Sequence, residues 1–233
     1  PKHKFPDWVG PALVEAMPGF NSYPDNSGTP ELRGAITGFL RRRYAIDLDM
    51  DSQVMVLNGT REGLFNAVVA LGQTGSKILI PNPFYQVYTV AAMAIGAQSV
   101  YLPARAESGF LPDLDALTPD ELNQTSVFFL CSPSNPQGVV ASKAYWTRLL
   151  TLAETYDFKI FADECYSEIY RTAPPPGALQ VAAQMGADPE RVVAFHSLSK
   201  RSNLPGLRSG FVASGSKNIS RIKQLRAYAG CPV

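Results

Sequence analysis

The segment Ser197-Leu198-Ser199-Lys200, followed eight residues later by Arg208, puts two hydroxyls, an amine and a guanidinium into one short stretch. Packed around a strand end, such a set can hold a phosphate dianion and offer an amine beside it, because guanidinium and hydroxyl groups bond well to phosphate oxygens. Asn58-Gly59-Thr60-Arg61-Glu62-Gly63 has the composition of a strand-to-helix turn. Free backbone N–H groups and the helix dipole favour an anion there. Taken singly, each segment has a plainer reading: Gly and Thr at a helix start make an ordinary cap, and the lysine segment makes a solvated basic loop. Two further runs, Ser132-Pro133-Ser134-Asn135-Pro136-Gln137-Gly138 and Asp163-Glu164-Cys165-Tyr166, add an amide, a carboxylate and a phenol. A carboxylate at a buried strand end needs a cationic partner to offset its lost hydration.

The elements that must position these groups are legible as alternating strands and helices. Short apolar or β-branched runs occur at Val54–Leu57, Lys77–Ile80, Ser99–Leu102, Ser126–Cys131, Lys159–Ala162, Val192–Phe195 and Ser209–Ala213. Several are apolar at nearly every position, as strands covered on both faces are. Helical patterns fall between them at Pro30–Arg43, Arg61–Gly72, Tyr85–Ile95, Lys143–Tyr156, Gly177–Gly186 and Lys217–Tyr228. Thr29-Pro30-Glu31 is a start signal, an N-cap followed by proline at the first helical position. This alternation predicts an α/β fold, a mostly parallel seven-stranded sheet flanked by helices. Ligands of such sheets bind beyond the carboxyl ends of the strands, and all four polar segments follow strand ends.

Bulk properties exclude several classes. The 233 residues are 45% hydrophobic and 18% charged, ordinary for a globular chain long enough to bury a core. A net charge of +1 makes no electrostatic case for nucleic acid or an acidic membrane surface. Arg41-Arg42-Arg43 ends a helix pattern, where cations suit the dipole. Cys131, Cys165 and Cys231 are odd in number and widely spaced, which argues against a disulfide framework or a metal site and fits a cytoplasmic location. No signal peptide is recognisable, and no apolar run reaches the ~18–20 residues of a membrane span. The chain opens on Pro1 and closes on Cys231-Pro232-Val233 directly after a helix pattern, so it reads as an internal piece of a longer protein.

Five ordered motifs between residues 23 and 210 resemble those of the class I/II aminotransferases, which are fold-type I enzymes dependent on pyridoxal 5′-phosphate (PLP). The Ser197–Gly210 segment is similar to the family's lysine signature. Ser132–Gly138 resembles its N-P-x-N-P-x-G segment, with Ser132 where Asn is usual. Asp163–Tyr166 resembles D-E-x-Y, and Pro81-x-Pro83-x-Tyr85 resembles P-x-P-x-Y. Tyr23-Pro24, Gly28 and Leu32-Arg33 match an upstream pattern. The intervals of 28 residues from Asn135 to Asp163 and 37 from Asp163 to Lys200 are also of the family's kind.

The resemblance implies roles. Lys200 would form a Schiff base with PLP and then move protons; Asp163 would pair with the ring nitrogen. Asn135 and Tyr166 would bond the ring's phenolate oxygen, and Tyr85 would stack on the ring. The phosphate would be held by N–H groups of Gly59, Thr60 and Arg61, by Ser197, Ser199 and Arg208, and by Tyr23 of a neighbouring subunit in a homodimer. Glu164, Cys165 and His196 receive no chemical role. Residues 1–24 would belong to the arm and small domain, and residues 25–233 to the PLP-binding large domain. The arginine that clamps the substrate carboxylate would lie beyond Val233. The implied reaction is ping-pong transfer of an amino group between an amino acid and a 2-oxo acid such as 2-oxoglutarate. The strings Asp163–Tyr170 and Arg226–Val233 resemble N-succinyldiaminopimelate aminotransferases. A PLP-dependent β-lyase of the same fold carries the same Lys/Asp/Tyr/Arg set and stays open, as does an aminotransferase-like regulator domain, which would need an upstream helix-turn-helix.

Overall fold

The computed structural model describes residues 3–229, so Cys231 and the rest of the Gly230–Val233 string lie outside the described residues. Seven strands form one sheet: β1 (Val54–Leu57), β2 (Lys77–Asn82), β3 (Gln98–Pro103), β4 (Thr125–Cys131), β5 (Lys159–Asp163), β6 (Val192–Ser197) and β7 (Gly210–Ala213). Their spatial order is β1-β7-β6-β5-β4-β2-β3. Every neighbouring pair is parallel except those made by β7, which runs antiparallel to both β1 and β6. The helices are α1 (Val9–Ala16), α2 (Pro30–Tyr44), α3 (Thr60–Leu71), α4 (Val87–Ala94), α5 (Pro119–Asn123), α6 (Lys143–Tyr156), α7 (Ala178–Met185), α8 (Leu198–Arg201) and α9 (Ser216–Ala229).

All seven expected strands and six expected helices are present, with ends shifted by a residue or two. Three short helices were not foreseen. One of them, α5, carries a capping box, Thr118 to Glu121, that the sequence offers as a start signal. The second, α1, has Val9, Ala12, Leu13 and Ala16 at helical spacing, yet it buries only Val9 and leaves its other side chains exposed. The third, α8, is a single turn capped by the Ser197 hydroxyl, which accepts from Ser199 N at 3.0 Å.

Alternation along the central strands divides the core in two. Val127, Phe129, Phe161, Val193 and Phe195 pack with α3, α4 and α9 side chains on one face. Phe128, Leu130, Ile160, Ala162 and Ala194 pack with α6 and α7 on the other, around the fully buried Trp146. A smaller cluster joins Ile36, Leu40 and Tyr44 of α2 to Val54, Val56, Phe211 and Ala213 at the β1–β7 edge. Among the described residues no helix is long and apolar enough to cross a membrane.

The same alternation fixes the direction of the polar residues at the strand ends. Cys131, Asp163 and Ser197 lie two positions beyond Phe129, Phe161 and Phe195, so they share the face covered by α3 and α4. His196 turns the other way, toward α2, where it stacks on Phe211 at 4.8 Å. Glu164 joins it there. Its carboxylate accepts from Tyr44 OH at 3.0 Å and Ala178 N at 2.7 Å, and lies 3.3 Å from His196 Nε2.

Burial pushes the Glu164 carboxyl up to about 7, and burial, with Arg201 and Arg43 nearby, pushes His196 down to about 3. His196 is therefore neutral beside the Glu164 carboxyl. The two shifts oppose each other. Glu164 binds its proton more tightly folded than unfolded, so its share of stability is lost as pH rises from 4.5 to about 7. His196 binds its proton less tightly when folded, so its share is lost as pH falls from 6.5 toward 3. His196→Gln keeps an N–H donor and removes the second effect. The Tm difference between this variant and the unsubstituted chain is expected to shift in the variant's favour on going from pH 6.5 to 4.5, read by thermal unfolding at each pH.

Candidate active site

Because β1, β4, β5 and β6 run in one direction, their carboxyl ends lie on one edge, and antiparallel β7 begins on that edge. Gly210 is the register partner of both Leu57 and Ser197. Arg208, two residues before it, is thereby delivered beside the Asn58–Gly59 turn. Its Nη2 donates to Asn58 O at 3.3 Å and its Nη1 to Pro205 O at 2.9 Å. Gly59 has φ +81°, and a Cβ there would collide with the Arg208 guanidinium. The glycine is thus required for its backbone angle, and its missing side chain lets the arginine lie against the turn. Gly28 is similar: its φ is +89°, a Cβ would strike Val56, and its carbonyl accepts from Arg33. Arg33 is buried and also pairs with Asp51 at 2.8 Å, so the upstream Gly-Leu-Arg match is structural in this fold.

A cavity of about 480 Å³ opens on the strand-end edge. Thr60, Arg61, Tyr85, Asn135, Asp163, Tyr166, Ser197, Ser199, Lys200 and Arg208 all line it. Gly59 lies beneath the Arg208 guanidinium. Tyr23 is fully exposed and is not among the lining residues. The unassigned Cys165 lines it too, with its Sγ 3.1 Å from Thr60 Oγ1.

Asp163 occupies the floor. It is 4% exposed, and burial raises its carboxyl above the ordinary value. It accepts from Tyr88 OH at 2.8 Å and from Cys165 N at 3.3 Å, and among the described residues no lysine or arginine pairs with it. Tyr88 is the functional side chain that the sequence reading missed. It lies flat on Phe129, with ring centroids 4.2 Å apart, and edge-on to Tyr85 at 6.0 Å. A signal existed: Tyr88 follows Tyr85 by three residues within the expected helix Tyr85–Ile95, a helical spacing that brings two side chains to one face, although α4 itself begins only at Val87. Tyr85 itself accepts from Arg61 Nε at 2.6 Å, which holds its ring at the cavity mouth.

Lys200 is exposed, lines the cavity and makes no ion pair among the described residues. Ser132, where Asn is usual in the resembling motif, is buried and accepts from Ala141 N at 3.0 Å, so it braces the loop and leaves Asn135 to face the cavity. The donor set fits PLP: a buried carboxylate for a protonated ring nitrogen, an unpaired amine for an aldehyde, and an anion cradle. That cradle consists of α3 first-turn N–H groups, which have no intrahelical acceptor, beside Arg208 and two serines.

Tyr88→Phe removes the hydroxyl that donates to Asp163. It is expected to cost about 1–3 kcal/mol, measured by urea unfolding; an unchanged midpoint would show that the Tyr88 hydroxyl does not stabilise that carboxylate.

Comparison with known proteins agrees with this arrangement. The family model for aminotransferase class I and II matches residues 2–229. An LL-diaminopimelate aminotransferase of Syntrophobacter fumaroxidans is 33% identical over 230 residues, covering 95% of this chain and 57% of that protein. An aminotransferase structure from Neisseria meningitidis superposes with a TM-score of 0.94 at 39% identity, covering 100% of this chain and 60% of that one. A probable N-succinyldiaminopimelate aminotransferase from Thermus thermophilus superposes with a TM-score of 0.92 at 26% identity, over 99% and 62%. The chain thus spans about three-fifths of the length of the relatives it matches. The fold is the PLP-binding large domain of fold-type I, and the chain belongs to the class I and II aminotransferases, a PLP-dependent family.

Proposed function

We propose that this chain is the cofactor-binding part of an aminotransferase that moves an amino group between an amino acid and a 2-oxo acid. One observation carries the reading: a buried carboxylate without a cation (Asp163), an unpaired amine (Lys200) and an anion cradle (Gly59, Thr60, Arg61, Ser197, Ser199, Arg208) surround one cavity. Bound PLP would supply an electron sink that acidifies the Cα–H of an amino acid joined to it. The protein's side chains do the rest. Asp163 would face the ring nitrogen and hold a proton on it. Asn135 and Tyr166 would donate to the ring oxygen, while Tyr85, fixed by Arg61, would cover one ring face. Lys200 would hold the cofactor and would move a proton at the substrate carbon.

In this reading residues 25–233 are the large domain and residues 1–24 belong to the arm, which accords with the exposure of α1. The active form is a cytoplasmic homodimer in which Tyr23 serves the neighbouring site. Its full exposure is compatible with that role. Diaminopimelate-type substrates, N-succinylated or free, are supported by the names of the relatives and by the Asp163–Tyr170 string, and 2-oxoglutarate is the acceptor proposed with them. The regulator reading has no observation in its favour.

The half-reaction tests the proposal. A longer chain that includes the carboxylate-clamping arginine, loaded with PLP and incubated with an amino-acid donor, is expected to accumulate pyridoxamine phosphate and release the matching 2-oxo acid. Residues 1–233 alone are expected to do so poorly, and Lys200→Ala is expected to abolish both. Pyruvate and ammonia from a β-substituted substrate, without pyridoxamine phosphate, would move the assignment to a β-lyase.

A further inference from the structure

The anion cradle has a charge problem. Glu62 sits in the first turn of α3, the helix whose N-terminus faces the cavity. Its Oε2 accepts from Asn58 N at 3.3 Å, and its Oε1 accepts from Asn66 Nδ2 at 2.7 Å. The carboxylate thus braces the Asn58–Gly59 turn from behind, yet it puts a negative charge in the same helix first turn whose N–H groups would face a phosphate. A carboxylate in a first turn already draws on the positive end of the helix dipole and repels a second anion there. Little solvent screens it, because its side chain is 21% exposed.

Arg226 answers that charge. It lies on α9, 164 residues away in sequence, and its side chain is wholly buried. Its Nε donates to Glu62 Oε1 at 2.8 Å, and its Nη1 donates to Val56 O at 2.7 Å and Asn26 O at 3.0 Å. Val56 is two residues before Asn58 on β1, so one guanidinium grips both the strand entering the turn and the carboxylate behind it. An arginine is expensive to bury, and tying α9 to β1 could be done by apolar contacts of the kind Ile219 and Ile222 already make.

We propose that Arg226 is a positioning residue for the phosphate site: by cancelling the Glu62 charge it leaves the α3 N-terminus free to attract a phosphate dianion, while Glu62 keeps the Asn58–Gly59 turn in place. This rests on the reading that the α3 N-terminus holds the PLP phosphate.

The test compares dissociation constants of PLP and of pyridoxal, which lacks the phosphate, by quenching of tryptophan fluorescence. The unsubstituted chain is expected to prefer PLP. Arg226→Gln exposes the Glu62 charge to the ligand and is expected to weaken PLP binding by about three- to thirty-fold with little change for pyridoxal. Glu62→Gln is expected to act in the opposite direction, holding or tightening PLP. The double variant is expected to recover most of the loss. A purely structural role predicts instead that both single changes weaken both ligands, and that outcome overturns the inference. If Arg226→Gln does not fold, Glu62→Gln decides alone: tighter or equal PLP binding supports the proposal, and weaker binding overturns it. If the unsubstituted chain shows no preference for PLP over pyridoxal, the phosphate reading itself fails, and this inference with it.

Discussion

The burial of the Asp163 carboxylate without a cation is the constraint around which this domain is arranged. Taking an ionised carboxyl out of water costs several kcal/mol unless hydrogen bonds and a counter-charge replace its hydration. Here Tyr88 and Cys165 supply hydrogen bonds, and no protein cation supplies the charge among the described residues. Burial accordingly raises the pKa of the carboxyl. A ligand with a protonated ring nitrogen would relieve that strain, and in doing so would have its own proton held in place. Binding and electronic tuning then come from the same contact.

The sheet topology explains how the other groups reach that carboxylate. Parallel β4, β5 and β6 place Cys131 opposite Asp163, and Ser197 two residues beyond Asp163's partner Phe195, all on the face under α3 and α4. Antiparallel β7 reverses direction at the edge, so the residues before it arrive where the others end. That single reversal joins Arg208 to Gly59 and closes the anion cradle. On the opposite face Glu164, His196 and Tyr44 make a second buried polar cluster that ties β5 and β6 to α2 and α7. Two consecutive residues, Asp163 and Glu164, thus serve the cavity and the framework respectively.

Much of this was legible in the sequence. Strand alternation, the Thr29–Pro30 cap and the polar segments at strand ends are local signals, because each depends on neighbouring residues alone. What escaped was long-range. Arg226 and Glu62 meet across 164 residues, and Arg43 reaches Glu168 across 125, with nothing in either neighbourhood to announce it. Tyr88 was missed for a different reason: its spacing from Tyr85 was visible, but only the stack on Phe129 reveals that its hydroxyl points at Asp163. The short helix α1 was missed although Val9, Ala12, Leu13 and Ala16 recur at helical spacing, a pattern confined to eight residues.

The central claim is that Lys200 is the point of attachment, positioned by a cavity whose floor is Asp163. Borohydride reduction of the PLP-treated chain, followed by peptide mass spectrometry, reads this directly. A single phosphopyridoxyl group on Lys200, absent from Lys200→Ala, is the predicted result. Modification spread over surface lysines, or undiminished in the variant, would contradict the account.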